Sequence, residues 1–360
     1  MPVVLRWALM VVGLGALLPG VAMAQARGDE LVLVRRDAFL YTAPSTRAER
    51  VRDPWGTRHR ERLGPFFVMR FVAERDDFVE VATLPSFRAV DHCYPTVSGL
   101  DGLDLHLFVK RDALGLVVPR RVERDGDRGG GIVLAGGVGL THRGGRRYYA
   151  HVRGATIRVE LDPGSVATRY RVTPRIPVSR GARGLLAPGA RVDFGRNLRL
   201  TAEAGRRRAR ARGRVDYSVA ETRGGARDWE PPRVLLAVEP ISERGRRVTA
   251  FVRNQCVEVR GTLARRDVTN ERPPRGVSGF GPRRGTALRS GTALYFPDGT
   301  AAGRASANAT LEGTLHTEGA RSCFDHPLRP GTGRGRGGAD DALTLCIDRR
   351  AFAAARARRR

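Results

Sequence analysis

The sequence predicts an all-β protein made of tandem small barrels and related β modules. Apolar and polar residues alternate in short runs, which is the spacing of half-buried strands. The 44 glycines and 21 prolines among 360 residues interrupt these runs with turns. Because domains commonly span about 100 to 200 residues, we expect two or three modules, joined by linkers rich in glycine, arginine and proline.

Residues 1–24 have the organisation of a signal peptide. Arg6 precedes an apolar run at residues 8–18, and a small-residue Ala-Met-Ala motif ends at Ala24. Glycine and proline interrupt the run before it reaches the ~20 residues that span a bilayer. A retained membrane anchor is the alternative. We expect cleavage, a mature chain without a transmembrane segment, and a periplasmic or secreted location.

The best-defined module is organised around residues 66–81, which we predict to form a β-hairpin. Apolar residues recur along both halves, and Asp76 and Asp77 interrupt the run with side chains that favour a turn. The first strand would place three residues on each of its faces: Phe67, Met69 and Phe71 on one, and Val68, Arg70 and Val72 on the other. We expect a half-buried ribbon.

The order of motifs over residues 31–115 resembles that of a bacterial SH3-like (SH3b) domain. Leu-Tyr-x-x-Pro at residues 40–44 opens it, the two-aspartate turn and a Phe-Val-Glu-Val strand follow, and Leu-Phe-Val-Lys-Arg at residues 107–111 closes it. Phe78 and Phe108 stand where that family has tryptophans. This exchange preserves the core and changes the contacts to a ligand.

Proteins of this family often recognise cell-wall peptides, so the resemblance implies peptidoglycan or wall peptides as the ligand. The candidate groove residues are aromatic residues on loops or strand ends, namely Tyr41, Trp55, Phe66 and Tyr94. The alternative for each is that its ring fills the core or the rim of the module.

The rest of the chain divides at two further linkers. Residues 120–131 are charged and glycine-rich, and residues 269–285 contain adjacent prolines, so both indicate connections. Between them lies a middle β domain (131–268), which is either a divergent or expanded module or another β fold. A C-terminal SH3-like module (285–352) and a basic tail (353–360) complete the chain.

The predicted C-terminal module repeats features of the N-terminal one. Residues 291–299 resemble residues 37–44, and residues 345–352 resemble the closing segment 108–114. This agreement favours degenerate internal repeats.

The four cysteines are widely spaced, and none forms a Cys-x-x-Cys motif. In an exported protein this pattern favours disulfides over a zinc or redox site. Three pairings are possible. Cys323 with Cys346 would close a short loop within one module, a constraint worth about 3 kcal/mol, and that pairing leaves Cys93 for Cys256. Free buried thiols are the alternative.

The net charge of +27 comes almost entirely from arginine, since Lys110 is the only lysine. Arginine binds phosphate and carboxylate groups well, so non-specific contact with polyanions through the run from Arg206 to Arg214 is one interpretation. A solvated surface, or an arginine bias of the genome, is the other. The run lacks a groove-reading element and stacking aromatics, so we expect no specific nucleic-acid partner.

The sequence contains no recognisable catalytic motif. It lacks the His-Glu-x-x-His zinc motif and the Gly-x-Ser-x-Gly elbow. His92 and Cys93 are adjacent, so on a strand their side chains would point to opposite faces. We expect no catalytic residue, metal or cofactor, with an enzyme assembled from scattered residues as an alternative.

Together these features predict an exported, non-catalytic binding protein of the bacterial cell envelope that recognises peptidoglycan or wall peptides. The main alternative is a structural or assembly protein whose partners are envelope proteins. Peptide-binding grooves need exposed aromatic rings, so burial of the candidate aromatics would favour the structural class.

Export is tested at the N-terminus. We predict that the mature chain begins at or near Gln25, because the small-residue motif before it follows an apolar core with a basic flank. N-terminal sequencing of protein from the envelope fraction checks this, and an intact Met1 would contradict it.

Overall fold

A computed structural model describes 30–35, 37–51, 66–84, 93–94, 102–152, 155–172, 176–177, 184–196, 198–202, 236–269, 285–306, 309–311, 313, 315–327 and 342–352. These residues form antiparallel strands with short helical turns, which confirms the all-β prediction. The signal peptide, Trp55, His92, the arginine run 206–214 and the tail 353–360 lie outside the described residues.

The strands follow one another along three segments of the chain. The N-terminal segment contains β1 (Glu30–Arg35), β2 (Leu40–Tyr41), β3 (Arg50–Val51), β4 (Phe66–Arg75), β5 (Phe78–Ala82) and β6 (Leu103–Lys110). The middle segment contains β7 (Leu116–Val117), β8 (Val122–Asp125), β9 (Gly131–Leu134), β10 (Gly139–His142), β11 (Arg147–Val152), β12 (Ala155–Glu160), β13 (Arg169–Arg171), β14 (Gly184–Leu186), β15 (Arg191–Gly195), β16 (Leu198–Ala202), β17 (Ala237–Arg244), β18 (Arg247–Arg253), β19 (Val257–Ala264) and β20 (Val268–Thr269). The C-terminal segment contains β21 (Thr286–Ala287), β22 (Ala293–Tyr295), β23 (Ala301–Ala305), β24 (Thr310–Leu311), β25 (Leu315–Glu318), β26 (Arg321–Pro327) and β27 (Ala342–Asp348).

In the described residues, helical structure is limited to single turns. Short 3-10 helices occupy Arg111–Ala113, Asp127–Gly129, Pro163–Ser165 and Arg265–Asp267, and a helical turn covers residues 349–352. Within the described part of the chain, none of the helices has the length and apolar character needed to cross a membrane.

The two ends of the chain share one sheet of 12 strands, which we call the terminal sheet. Its main path runs β13, β1, β4, β5, β6, β23, β22, β27, β26 and β25, and β2 and β3 pair beside β6. The N- and C-terminal segments meet where β6 pairs with β23, with Leu105 opposite Gly303. Gly303 has a φ of 144°, and an added Cβ would lie 1.9 Å from the Asp104 carbonyl oxygen, so this join requires glycine.

The middle segment builds a second sheet of 13 strands, which we call the middle sheet. Its main path runs β20, β14, β17, β18, β19, β15, β16, β12, β11, β10 and β7, and β8 and β9 pair beside β19. The prediction that residues 120–131 form a linker is wrong. They form most of the β8–β9 hairpin, because Val122 and Ile132 bury apolar side chains on one face while the glycines make the turn between them.

The hairpin predicted at residues 66–81 is present as β4 and β5, with its turn at Asp76 and Asp77. Asp76 has a φ of 50°, a left-handed conformation that aspartate tolerates in turns. A β-bulge shifts the register between Phe71 and Ala73, so the alternation read from the sequence holds only up to that point.

The expectation of a half-buried ribbon is wrong for the first half of β4, which is buried on both faces. Phe66 and Val68 belong to the hydrophobic core beneath the middle sheet, the middle core. Phe67 and Met69 belong to the core shared by the N- and C-terminal segments, the terminal core. β1 behaves in the same way, so the β1–β4 pair lies between two cores.

Phe66 anchors this pair to the middle sheet, because the backbone of two glycines lies close to its ring. An added Cβ at Gly115 would lie 2.5 Å from the Phe66 ring, and one at Gly139 would lie 2.6 Å from it. Tyr94 contacts the same ring edge-on, with 5.5 Å between the ring centroids. Both glycines therefore leave the space that the Phe66 side chain occupies.

The opening and closing strands pair in the same way at both ends of the chain. β2 pairs with β6, with Tyr41 opposite Phe108, and β22 pairs with β27, with Tyr295 opposite Cys346. The internal repeat expected from the sequence stays a prediction. Tandem SH3-like barrels, and the boundaries of the modules, stay predictions.

The two-sided burial of β4 can be measured by truncation. We predict that Phe67→Ala and Phe66→Ala each lower the free energy of unfolding by about 3 to 5 kcal/mol, since each leaves a cavity in a different core. Phe39→Ala is the control: its side chain is 43% exposed, so we expect a loss below about 1 kcal/mol. Urea denaturation followed by tryptophan fluorescence checks this, and a small effect of Phe67→Ala would exclude a terminal core that depends on β4.

Candidate functional site

The N-terminal segment carries an aromatic surface formed by Phe39, Tyr41, Phe78 and Arg50. The rings of Phe39 and Tyr41 are 6.5 Å apart and those of Tyr41 and Phe78 are 5.5 Å apart, both in edge-on geometry. The Arg50 guanidinium carbon lies 5.1 Å from the Phe39 ring centroid and 5.9 Å from that of Tyr41. This distance is within the range of cation–π attraction.

The rings of this aromatic surface differ sharply in exposure. Tyr41 is 4% exposed and Phe78 is 7% exposed, whereas Phe39 is 43% exposed. Phe39 is thus the ring that can contact a ligand. Tyr41, which the sequence predicted as a ligand-binding residue, is buried and packs edge-on against Phe39. With Arg50 beside it, the surface offers an apolar contact next to a positive charge, a combination that suits a carboxylate attached to an apolar group.

A buried carboxylate lies on the strands that carry this surface. Glu80 accepts a hydrogen bond from Arg75 at 3.1 Å and lies 2.8 Å from Nδ1 of His106. Burial acts to raise the pKa of Glu80, but the hydrogen bonds to His106 and Arg75 outweigh it and hold the pKa below its usual value. Glu80 is therefore ionised and tied to β6 at neutral pH.

The C-terminal segment approaches the loop between β2 and β3. The pKa of Glu49 is raised, first by burial and then by the negative charge of Asp298. Asp298 lies in the turn between β22 and β23, where its side chain accepts a hydrogen bond from the backbone of Thr300 at 2.8 Å. The effect of Asp298 on Glu49 indicates that the turn between β22 and β23 lies near the loop between β2 and β3, next to Arg50.

Phe66 and Tyr94 do not join Tyr41 in a groove. Both are buried in the middle core, where Tyr94 is 1% exposed. The Tyr94 hydroxyl donates a hydrogen bond to the His151 carbonyl and accepts one from the Gly139 amide at 2.8 Å. Burial raises the pKa of Tyr94. The pKa of its neighbour Tyr170 is also raised, first by burial and then by the charge of Tyr94. These residues hold the N-terminal segment on the middle sheet.

The structure contains both disulfides that the sequence favoured. Cys93 is bonded to Cys256 with a Cα–Cα distance of 5.7 Å, and Cys323 is bonded to Cys346 at 4.0 Å. The first bridge closes a sequence separation of 163 residues between the N-terminal and middle segments. The second joins residues that lie directly opposite each other on β26 and β27.

A set of potential metal ligands lies beside the second bridge. Ligand atoms of His316, Glu318 and Cys323 are within 4.8 Å of one another. The Cys323 sulfur is bonded to Cys346, so it cannot act as a thiolate ligand while the disulfide is intact. His316 instead faces carboxylates, with Glu318 at 3.3 Å and Asp325 at 3.9 Å.

Comparisons of this chain with protein-family models, with curated proteins and with solved structures find no match.

Sequence reasoning missed Phe39 and Arg50, the two residues that form the exposed part of the aromatic surface. Phe39 precedes Tyr41 by two positions, so a strand would place both rings on one face. That spacing was a usable signal. The cation–π contact was not predictable, because it depends on the pairing of β2 with β3.

The buried Glu80 carboxylate makes stability depend on pH. Because its pKa is lowered in the folded state, its stabilising contribution is present above the unfolded value of about 4.3 and is lost as pH falls through the folded value. We predict that Glu80→Gln lowers the free energy of unfolding by about 1 kcal/mol at pH 7, since exposed partners screen the interaction. The difference from wild type should shrink in acid.

Urea denaturation from pH 7 to pH 3 measures this effect. Glu123→Gln is the matched control, because Glu123 pairs with Arg121 on the surface and its side chain is 63% exposed. A loss for Glu80→Gln that is constant over this pH range would rule out the ionised carboxylate as its source.

Proposed function

We propose that this protein is an exported, non-catalytic structural or assembly component of the bacterial cell envelope, with envelope proteins as partners. The observation that carries this proposal is the burial of Tyr41, Phe66 and Tyr94, which are 4%, 4% and 1% exposed. Recognition of wall peptides by an SH3-like groove needs exposed aromatic rings. Burial of these three therefore favours the structural class over peptide recognition.

The way the chain is held together supports a structural role. The terminal sheet joins the two ends of the chain, and a disulfide links the N-terminal segment to the middle segment. Such cross-links reduce the freedom of the segments to move apart. Two disulfides also fit the oxidising compartment that an exported protein reaches.

A second candidate function is recognition of wall peptides or peptidoglycan by the aromatic surface. The exposed ring of Phe39, with Arg50 beside it, favours this candidate. A peptide carboxylate could pair with the guanidinium while an adjacent apolar side chain covers the ring. This contact would involve fewer residues than the groove of four aromatic residues that the sequence predicted.

Sedimentation with purified cell-wall sacculi separates the two functions. At about 0.5 M salt the screening length is roughly 4 Å, so attraction through surface charge alone is suppressed. For a structural component we predict that the full-length mature protein stays in the supernatant under these conditions. Crosslinking in intact cells should then recover the same envelope proteins from the same surface positions in replicate experiments.

Retention on sacculi at this salt concentration would contradict the structural proposal if the combination of Phe39→Ala with Arg50→Gln abolished it. The matched control combines Leu315→Ala with Arg247→Gln. It removes one exposed apolar side chain, 44% exposed, and one arginine at positions away from the aromatic surface. Loss of retention in both variants would instead indicate a non-specific effect of charge and apolar area.

A further inference from the structure

A row of polar side chains crosses five neighbouring strands of the middle sheet. Strand register places Asp193 opposite Arg199, Arg199 opposite Arg158, Arg158 opposite Tyr149, and Tyr149 opposite Thr141. Facing residues of neighbouring strands are about 4.5 to 5.5 Å apart, so this row is a continuous line of polar groups.

The row lies on the open face of the middle sheet. On β12, β15 and β16 the alternate residues Ile157, Val192 and Leu200 are buried in the middle core. Arg158, Arg199 and Asp193 point the other way and are exposed. Alternation within each strand therefore separates an apolar inner face from a charged outer face.

Arg158 and Arg199 form a like-charge pair at the centre of the row. Arg199 donates a hydrogen bond to Asp193 at 2.8 Å, so its charge is partly balanced. Arg158 has no acidic partner among the residues that the structure describes. Like charges directly opposite each other on a sheet are destabilising, and an anion bound between them would remove that repulsion.

The surroundings of this pair add positive charge. Arg147 and Arg191 are exposed on the same face, and the Arg143 guanidinium carbon lies 4.9 Å from the Tyr149 ring centroid. The five strands of the row contain four arginines and two carboxylates, Asp193 and Glu160, of which Glu160 lies directly opposite Arg147. Burial and then the charge of Arg143 lower the pKa of the neighbouring His151.

The adjacent row supplies hydrogen-bond donors. Arg191 faces Thr201, Thr201 faces Thr156, and Thr156 faces His151. Threonine hydroxyls can donate to phosphate or carboxylate oxygens that the arginines hold. A ligand lying along the strand-to-strand direction would contact both rows.

We propose that this arginine face, defined by Arg143, Arg147, Arg158, Arg191 and Arg199, binds a linear polyanion with phosphate or carboxylate groups along its length. The five arginines extend across four strands and the adjoining loop, so an extended ligand can meet several of them, whereas a small anion meets only the central pair. A non-nucleic polymer fits better than single-stranded nucleic acid, because base stacking needs free aromatic rings and Arg143 covers Tyr149.

This proposal is independent of the structural role proposed above, and it differs from binding by the arginine run. The run begins at Arg206, four residues after β16 ends at Ala202. It could add affinity for the same ligand, but the face has its own geometry, set by strand register. Substitutions within the sheet therefore test the face separately from the run.

The test measures binding of the full-length mature protein to two fluorescently labelled probes, inorganic polyphosphate and polyglutamate. The variant combines Arg158→Gln with Arg199→Gln. Its matched control combines Arg244→Gln with Arg247→Gln, a pair that also lies directly opposite across strands and loses the same charge. Circular dichroism and thermal unfolding confirm that each variant is folded.

At about 0.15 M salt we expect the Arg158/Arg199 variant to bind about tenfold more weakly and the control to change less than about twofold. The slope of log affinity against log salt should fall by about 1.5 in the variant, since two anion contacts are lost. Preference for one probe would identify phosphate or carboxylate as the ligand chemistry, and either preference supports the proposal.

Equal weakening in the variant and the control would overturn the proposal, since net charge alone would then explain binding. Failure of the wild-type protein to bind either probe would overturn it as well. A labelled oligothymidylate of similar charge that bound more tightly than both probes would overturn the choice of a non-nucleic polymer.

Discussion

The pairing of β1 with β4 is the interaction on which both cores depend. Leu31 and Leu33 enter the middle core, while Val32 and Val34 enter the terminal core, and β4 repeats this division opposite them. Each apolar side chain buried in this way contributes roughly 1.5 to 3 kcal/mol. Since both cores share this pair of strands, a substitution that shifts β1 or β4 in one core also changes the packing of the other.

This arrangement explains why two of the aromatic residues predicted to line a binding groove, Phe66 and Tyr94, are internal. Phe66 fills the space left by Gly115 and Gly139, and Tyr94 satisfies its hydroxyl with backbone groups of the middle segment. Among the described residues, the two surfaces that we propose for partners are the aromatic surface around Phe39 and the arginine face around Arg158.

Charge and covalent links act on different scales in this protein. Salt bridges such as that of Arg70 on β4 with Asp104 on β6, 2.6 Å apart, link strands within one sheet, while the Cys93–Cys256 bridge joins distant parts of the chain. Exposed ion pairs contribute little to stability, typically below about 1 kcal/mol, so the surface arginines add little to the stability of the fold. The cores and the disulfides hold the fold, and the outer faces are free to carry charge.

The sequence by itself determined the β class, the hairpin around Asp76 and Asp77, and the favoured cysteine pairs, because each depends on local spacing or on a short list of options. It did not reveal that residues 120–131 form a hairpin, since their glycines and charges resemble a linker. Only the tertiary structure decided that the first half of β4 is buried on both faces, and that Arg158 faces Arg199. Period-2 alternation shows which residues share a face of one strand, but neighbours across strands depend on long-range pairing and register.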